Sequence, residues 1–299
     1  MTVVAVGHSA RILEGAPIAE AIRHTVRQDL ALILAQRGSL PGIRVFMVGE
    51  DAPSRVYAGR ILRNAAGVGV PGELVELPPT TTTSELSRYL AAASTDPSVG
   101  GIIVQMPLPA GIQVRDVTGA LDPNKDIDGI HPYNAGLLAQ GLDGHRPSCA
   151  EAAVDILLMS GYDVTGRHAV VIGRSNVVGK PAELLLLRHD ATVTVCHRKT
   201  RDLAGEVSRA DIVVVAAGSP GLVHGSMLRP GALVVDCGIN VIDGAIVGDV
   251  DRASAAPVAD ARTPVPGGVG PVTNAVLLRH FAAAVRMAAG EAGLSGPRA

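Results

Sequence analysis

The sequence has little aromatic character and no excess of positive charge. Among 299 residues there is no Trp, and there are only two Phe and four Tyr. Proteins that bind single-stranded nucleic acid stack its bases on aromatic rings, and this chain has few to offer. Its 26 basic and 28 acidic residues give a net charge of −2, so no basic surface for DNA or RNA is expected either. We therefore expect no nucleic-acid partner, and a core of aliphatic side chains.

Cysteine pairs and long hydrophobic runs are also missing. The three cysteines, Cys149, Cys196 and Cys237, lie far apart and form no CxxC or Cys/His metal spacing. We therefore expect no metal site, and free thiols in a reducing compartment. The first residues lack the charged and apolar regions of a signal peptide, and the longest apolar runs are only as long as a strand. These features predict a cytoplasmic protein without a membrane segment.

What the chain does contain is an alternation of strands and helices, which is typical of a mostly parallel sheet. The first half predicts a helix over 17–36, strands over 44–48 and 73–77 with a helix carrying Tyr57 between them, a helix ending near 94, and the buried strand of GGIIVQMPLP. A second βαβ series begins near Ser148, with strands over 168–172, 192–196, 212–216 and 233–236, a loop over 263–273, and a last helix over 274–289.

Length and pattern together predict an α/β protein with two domains. Residues 1–147 and 274–299 form the first domain, because the last helix has no third core to join and packs back on this one. Residues 148–273 form a Rossmann-like parallel-sheet domain. Open sheets of this kind bind ligands beyond the carboxyl ends of their strands, so we expect a cleft between the two domains.

A nucleotide turn is predicted after the strand over 168–172. The segment from Gly173 to Gly179 reads GRSNVVG, in which Ser175 replaces the middle glycine of the GxGxxG fingerprint. The pattern alone is weak, but a strand precedes it, a helix follows, and a second strand ends about twenty residues on. Backbone N–H groups at such a turn could hold a pyrophosphate. The alternative is a tight strand-to-helix turn without a ligand.

Charge at the end of the second strand favours NADP over NAD. NAD sites place a carboxylate there, whereas NADP sites offer arginine to the 2′-phosphate. This chain has His197, Arg198 and Lys199 at that end, with Arg174 in the glycine turn and no carboxylate. The alternative is that Arg198 and Lys199 are only the solvated part of a loop.

A polar substrate site is predicted at the strand ends of the first domain. Gln105 closes GGIIVQMPLP, Asp126 and Asp128 lie in DPNKDIDGIHPYN, and the loop TPVPGGVGPVT is rich in glycine and proline. Ser54 and Tyr57 stand on the helix after the first strand. Each feature has a structural explanation of its own: a strand cap, a turn or a rigid connection. Together they outline a site for a small ligand.

These strings resemble the bifunctional methylenetetrahydrofolate dehydrogenase/methenyltetrahydrofolate cyclohydrolase family over nearly the whole chain and in order. VGEDAPSRVY, GGIIVQMPLP and DPNKDIDGIHPYN look like the first three family motifs. VVIGRSNVVGKP is similar to the family's nucleotide turn, GxSxxxGxP, which accounts for Ser175. DCGIN, GDVD and TPVPGGVGPVT complete the resemblance.

The resemblance implies oxidation of 5,10-methylenetetrahydrofolate with NADP, then hydrolysis of the methenyl cation to 10-formyltetrahydrofolate, by a homodimer formed through the nucleotide domains. Tyr57 would orient the folate, while Gln105 and Asp128 would hold its pterin. The other implied contacts are Ser54, Pro266, Gly267 and Gly268 with the folate, and Gly173, Arg174, Ser175, Gly179, His197, Arg198 and Ile239 with the cofactor.

One position departs from the family in a way that separates the two reactions. Four residues after Tyr57 the family has a Lys, its main catalytic group for hydrolysis, and this chain has Ile61. Hydrolysis needs a group that moves protons, a role that a Lys can take and an Ile cannot. Arg60 and Arg63 point away from that face of the helix, and arginine is too basic to exchange protons near neutral pH. Hydride transfer needs no protein acid or base.

A second departure lies near the same predicted site, where the family's CTPxG reads Ser148 to Ala152, SCAEA, with an unexplained Glu151. We therefore predict a dehydrogenase with weak or lost cyclohydrolase activity. Three alternatives remain open: a diverged homologue with another one-carbon reaction in a specialised pathway, a fully bifunctional enzyme in which another group replaces the Lys, and an inactive binding subunit.

Overall fold

A computed structural model describes residues 9–290, so residues 1–8 and 291–299, the outer ends of the first predicted domain, lie outside it. Its strands are β1 (Arg11–Ile12), β2 (Gly42–Val48), β3 (Gly72–Leu77), β4 (Val99–Val104), β5 (His168–Ile172), β6 (Thr192–Cys196), β7 (Ile212–Val215), β8 (Leu233–Asp236), β9 (Asn240–Ile242), β10 (Ala245–Val247) and β11 (Ala261–Arg262). Its helices are α1 (Gly15–Arg37), α2 (Ala52–Ala66), α3 (Thr83–Thr95), α4 (Val114–Thr118), α5 (Pro132–Ala139), α6 (Ser148–Met159), α7 (Gly179–Arg188), α8 (Leu203–Val207), α9 (Arg252–Ala255) and α10 (Val269–Ala288), with a 3₁₀ turn at Gly225–Met227.

The described chain divides into two compact units. The three-strand unit contains residues 20–148 and 274–290, and the six-strand unit contains residues 9–19 and 149–273. Parallel α/β architecture in two units, with a Rossmann-like second unit, confirms the predicted fold class. None of the helices in residues 9–290 combines the length and the apolar character needed to cross a membrane.

The three-strand unit is built around a parallel sheet in the order β3-β2-β4. One face of the sheet is covered by α3, whose Leu86 and Leu90 pack with Phe46 and Ile102. Helix α3 begins at a capping box. The Thr82 hydroxyl accepts the Glu85 amide, and the Glu85 carboxylate accepts the Thr82 amide. The parallel strands run in one direction, so their carboxyl ends form one edge, where Gln105 follows β4.

Helix α10 packs on β4 because the second and third residues of that strand are glycines. A Cβ atom on Gly100 would lie 2.9 Å from the Phe281 ring, and one on Gly101 would lie 3.1 Å from it. Phe281 is fully buried. Its close approach to the β4 backbone holds the last helix in the three-strand unit, as predicted. The helix begins at Val269, however, inside the segment that the sequence predicted to be a loop. Its Pro271 lies in the first turn, where a proline costs no helical hydrogen bond.

The six-strand unit contains a parallel sheet in the order β1-β11-β8-β7-β5-β6. Strand β5 lies between β6 and β7, so the chain leaves β5 toward one side and later returns on the other. This reversal is the switch point at which open α/β sheets bind ligands. The core on one face is aliphatic and includes Val170, Val213 and Val234.

Several small elements were not predicted, among them β9, β10 and β1. β9 and β10 form an antiparallel hairpin, and the two residues between them, Asp243 and Gly244, both have positive φ angles. β1 pairs in parallel with β11 at the edge of the large sheet. Residues 9–19 therefore group with the six-strand unit, whereas the sequence-based division placed them in the first domain.

Candidate active site

The first part of the candidate site lies at the carboxyl edge of the three-strand sheet. The Asp51 side chain accepts the Ser54 amide at 2.9 Å and so caps the start of α2. The Ser54 hydroxyl donates to the carbonyl oxygen of Met106 at 3.2 Å, and the Gln105 side-chain amide donates to the same oxygen at 3.0 Å. The structure thus brings the start of α2 and the end of β4 together through one shared acceptor.

The buried face of α2 carries Ile61. The helix buries Ser54, Ala58, Ile61 and Ala65, which recur at the spacing of a single helical face. Ile61 is 2% exposed, while Tyr57, one turn earlier, is half-buried. The position that would have to supply an ammonium group is therefore filled by a packed aliphatic side chain.

Lysines that could substitute are few. The sequence contains only Lys125, Lys180 and Lys199, and Lys125 is the one in the three-strand unit. Its ammonium donates at 2.8 Å to the carbonyl oxygen of Asp96, which precedes the first residue of β4 by three positions. Gln105 follows the last residue of this six-residue strand, about 20 Å further on. Lys125 thus lies at the opposite edge of the sheet.

Asp128 is the titratable group of this part of the site. It is partly exposed, and its carboxylate accepts a 2.5 Å hydrogen bond from the Ser148 hydroxyl. Burial raises the pKa of Asp128 to about 6, the Ser148 hydrogen bond opposes this rise, and the neighbouring Asp126 adds to it. The His280 ring lowers the pKa of the same carboxyl and hydrogen-bonds to the Ile127 carbonyl oxygen at 2.8 Å. Asp128 can therefore change its charge near neutral pH.

Asp126 has a structural role. It is fully buried, and one of its oxygens accepts the His131 amide and the Asn134 side-chain amide, both at 2.9 Å or less. Burial is also the main cause of its raised pKa. These hydrogen bonds stabilise the loop that carries Asp128. Asp126 therefore positions the site from a buried location and does not line it.

The nucleotide turn lies between β5 and α7 in the six-strand unit. Gly173 has a φ of 123°, and a Cβ atom there would clash with the carbonyl group of Ala216. Gly179 opens α7, and a Cβ atom on it would meet the Gly173 carbonyl. The Ser175 hydroxyl accepts the Val178 amide at 3.1 Å, which explains a serine in place of the middle glycine.

The loop after β6 carries the cations. The His197 amide donates to the Thr200 hydroxyl at 2.9 Å, and the His197 Nδ1 atom accepts the Lys199 amide at 3.1 Å. This small turn leaves Arg198 and Lys199 exposed at its tip, and Arg174 is exposed in the neighbouring glycine turn. A glycine cradle, a helix start and nearby arginines fit a dinucleotide with a 2′-phosphate.

The remaining predicted residues also belong to the six-strand unit. Pro266, Gly267 and Gly268 follow β11, and Gly267 has a φ of 109° and accepts the Gly15 amide at 2.8 Å through its carbonyl oxygen. Ile239, after β8, is 69% exposed and available for contact. The predicted folate residues are thus divided, with Ser54, Tyr57, Gln105 and Asp128 in the three-strand unit.

Two supporting residues were missed by the sequence-based prediction. Asp249 is fully buried, and its carboxylate accepts the amides of Ala217, Gly218 and Ser219 at 2.7–2.8 Å, which fixes the loop after β7. His280 lies too far along the sequence for any local pattern to link it to Asp128. Among residues 9–290, no group of three or more His, Cys, Asp or Glu side chains is arranged to hold a metal ion.

Comparison with known proteins gives consistent matches along the chain. The family profile described as tetrahydrofolate dehydrogenase/cyclohydrolase, catalytic domain, matches residues 13–128, and the NAD(P)-binding domain of the same family matches residues 147–289. The chain is 45% identical over 273 residues to the bifunctional protein FolD of Roseiflexus sp. (strain RS-1), covering 91% of this chain and 95% of that protein.

Two solved structures are similar in fold. The bifunctional FolD methylenetetrahydrofolate dehydrogenase/cyclohydrolase from Campylobacter jejuni has a TM-score of 0.91 at 34% identity, covering 94% of this chain and 100% of that chain. The Trypanosoma brucei methylenetetrahydrofolate dehydrogenase-cyclohydrolase, complexed with NADP cofactor and inhibitor, has a TM-score of 0.88 at 35% identity, covering 94% and 99%.

Proposed function

The chain belongs to the tetrahydrofolate dehydrogenase/cyclohydrolase family, and from this premise we propose that it is an NADP-dependent 5,10-methylenetetrahydrofolate dehydrogenase whose methenyltetrahydrofolate cyclohydrolase activity is weak or lost. The observation that carries the second half of the proposal is Ile61, which is buried on the face of α2 that also carries Ser54. Its side chain has no proton to give and no charge to stabilise a hydroxide.

The position of the lysines supports the loss of hydrolysis. Opening the methenyl cation requires attack by water and proton movement at the folate nitrogens, and a general acid–base group contributes about 10²–10⁴-fold to such a step. The ammonium of Lys125 is bound at the far edge of the sheet. Lys180 and Lys199 belong to the six-strand unit, where Lys180 donates to the Asn176 side chain at 3.0 Å and Lys199 is exposed beside the cationic loop. None of them replaces the missing group within the three-strand unit.

Oxidation has fewer requirements, and the chain keeps what it needs. NADP, when bound, supplies the hydride acceptor, and no protein acid or base is needed. The glycines of the β5–α7 turn let the backbone approach a pyrophosphate, and the exposed Arg174 and Arg198 would pair with a 2′-phosphate. The absence of a carboxylate at the end of β6 supports NADP over NAD.

On the folate side, we assign positioning to the polar residues of the three-strand unit. Asp128, when ionised, can accept two hydrogen bonds from the amino and ring N–H groups of a pterin, and Ser148 keeps its carboxylate oriented. Gln105 and Tyr57 would orient the ring system, and the Gln105 side chain is held by the Met106 carbonyl oxygen, to which Ser54 also donates. Pro266, Gly267 and Gly268 would contribute a backbone surface.

A fully bifunctional enzyme is the second candidate, and one observation favours it. The pKa of Asp128 is raised by burial to about 6, close enough to neutral pH for proton exchange with water during hydrolysis. Relatives at about this level of identity carry the name bifunctional, as the Roseiflexus protein does. In this case hydrolysis would depend on Asp128 in place of a lysine.

Both activities measured on one preparation test the proposal. We expect NADPH to form when the protein receives 5,10-methylenetetrahydrofolate and NADP, with a much lower rate when NAD replaces NADP. Added 5,10-methenyltetrahydrofolate should decay no faster than in buffer. Absence of NADPH formation would contradict the dehydrogenase assignment, and accelerated decay that is abolished in Asp128→Asn would establish the second candidate.

We also propose that the protein is a cytoplasmic homodimer formed through the nucleotide domains. The family resemblance supports the dimer. The three widely separated cysteines support the cytoplasmic location. Light scattering on the purified chain gives the test: a mass near twice 30.5 kDa is expected, and a monomer mass would contradict the proposal.

A further inference from the structure

A cavity that the proposed reaction does not use lies in the six-strand unit. It has a volume of about 530 Å³ and is bounded by the carboxyl ends of β8 and β11, the β9–β10 hairpin and the start of α9. Its walls are largely apolar and include Val234, Ile242, Ile246 and Val265. The nucleotide turn follows β5, which is separated from β11 by two strands, so the cavity is a different place in the same sheet.

Arg262 brings a positive charge into this cavity. It is the last residue of β11 and is only 7% exposed, yet its side chain lines the cavity wall. Its Nε atom is buried and has no hydrogen-bond partner. Burying a donor of a charged group without a partner is costly, and most buried charges are paired. Nothing in the pairing of β11 requires an arginine here, because its two strand neighbours in register, Ile12 and Val234, are both aliphatic.

A second arginine faces the same space. Arg252 is exposed at the start of α9 and also lines the cavity. Burial is the main cause that lowers the pKa of the Arg262 guanidinium, and the nearby positive charge of Arg252 lowers it further. No carboxylate acts in the opposite direction. Two like charges that face one cavity repel each other, and an anion bound there would reduce this repulsion.

The two carboxylates on the cavity wall are engaged elsewhere. One oxygen of Asp236 accepts the amides of Gly238 and Asp249 at 2.8 and 3.0 Å, and the other accepts the Val250 amide at 3.0 Å. Asp251 caps α9 by accepting the Ser254 amide at 2.8 Å and lies 3.7 Å from the His224 ring. Neither neutralises Arg262.

We propose that this cavity binds a small organic anion, whose carboxylate, phosphate or sulfonate group pairs with Arg262 and Arg252 and whose apolar part packs on Ile242 and Ile246. Guanidinium groups bind such anions through two parallel hydrogen bonds, which matches a pair of arginines at the end of an apolar cavity. The site is independent of the folate and nucleotide sites, since none of their assigned residues lines it.

Thermal unfolding with sodium benzoate as the probe tests this site. The whole protein is saturated with NADP to occupy the nucleotide turn, and benzoate replaces sodium chloride at constant ionic strength. Wild-type protein should show a benzoate-dependent rise in Tm, because a ligand that binds only the folded state stabilises it. Arg209→Met, which removes an exposed arginine paired with Glu206 on the same unit, should show the same rise.

The charge-deleting variants carry the opposite expectation. Arg262→Met should lose the benzoate-dependent rise and should unfold in chloride at the same temperature as wild type or higher, because it removes an unpaired buried charge. Arg252→Gln should raise the benzoate Kd by about tenfold or more, and it carries the test alone if Arg262→Met does not fold. No benzoate effect in wild type, including the case in which a second copy of the chain fills the cavity, overturns the proposal. An unchanged effect in the folded arginine variants does so too.

Discussion

Replacing Ile61 by lysine should give this protein the hydrolytic activity that the proposal says it lacks. The position is on the buried face of α2 and is 2% exposed, so an ammonium placed there is largely desolvated. Desolvation can lower the pKa of a buried lysine by up to about 3–5 units. A lysine whose pKa falls from about 10.4 to about 7 becomes a proton carrier at neutral pH.

The same burial sets the cost in stability. A fall of about 3 pKa units, at about 1.36 kcal/mol each, makes Ile61→Lys destabilising by about 4 kcal/mol at pH 7. Methionine is similar in length to lysine and carries no charge, so Ile61→Met should lower the free energy of unfolding by less than about 1.5 kcal/mol. Chemical denaturation of both variants measures this difference and identifies the range of conditions in which Ile61→Lys is folded.

The assay follows the decay of added 5,10-methenyltetrahydrofolate in the folded range. We expect Ile61→Lys to accelerate hydrolysis by about 10²–10⁴-fold over wild type, while Ile61→Met stays at the wild-type rate. NADPH formation should persist in both variants. Equal gains in Ile61→Met and Ile61→Lys, or wild-type hydrolysis as fast as that of the lysine variant, would show that hydrolysis does not depend on an ammonium at position 61. A folded lysine variant without gain would place the obstacle in the altered segment from Ser148 to Ala152.

Three further predictions concern the oxidation step and its cofactor. Asp128→Asn should raise the KM for 5,10-methylenetetrahydrofolate by about tenfold or more. Because the wild-type carboxyl ionises above its pKa of about 6, the wild-type KM should rise as the pH falls below 6, and the variant should lose this dependence. The same pH profile of KM in both proteins would count against the assignment of Asp128 to the pterin. Arg198→Gln should weaken NADP by about tenfold and leave NAD unchanged in steady-state kinetics, and an equal loss for both would remove Arg198 from the 2′-phosphate. Gly173→Ala should destabilise the protein by about 1–3 kcal/mol, because it forces an alanine to a φ of 123° against the Ala216 carbonyl; calorimetry with an unchanged Tm would show that the turn tolerates a side chain.

Much of the fold could be predicted because the strands that matter are local and continuous. β4 reads as an apolar run closed by Gln105, and β5 as an apolar run closed by Gly173, so both the strands and their carboxyl edges follow from short patterns. The β9–β10 hairpin was missed even though its Asp-Gly pair at 243–244 is a strong turn signal, because the flanking strands contain only three residues each. β1 contains two residues and exists only through pairing with β11, which no local pattern encodes.

The candidate site was predictable to a similar extent. Residues at strand ends and in glycine turns, such as Gln105 and Ser175, can be recognised from their neighbours in the sequence. The partners of Asp128 cannot, since Ser148 is 20 residues away and His280 lies on the last helix. Burial raises the pKa of Asp128 and these distant groups oppose the rise, so the shift appears only in the folded chain. Arg262 reads as part of an ordinary strand, and only its burial without a partner marks it as unusual.

The product ratio of one NADP-driven turnover experiment with wild-type protein decides whether oxidation occurs without hydrolysis. Folate products are separated by chromatography at a pH where spontaneous hydrolysis is slow, and NADPH is counted in the same sample. We expect one mole of 5,10-methenyltetrahydrofolate for each mole of NADPH, with 10-formyltetrahydrofolate no higher than in an enzyme-free sample. Accumulation of 10-formyltetrahydrofolate in step with NADPH would contradict this expectation.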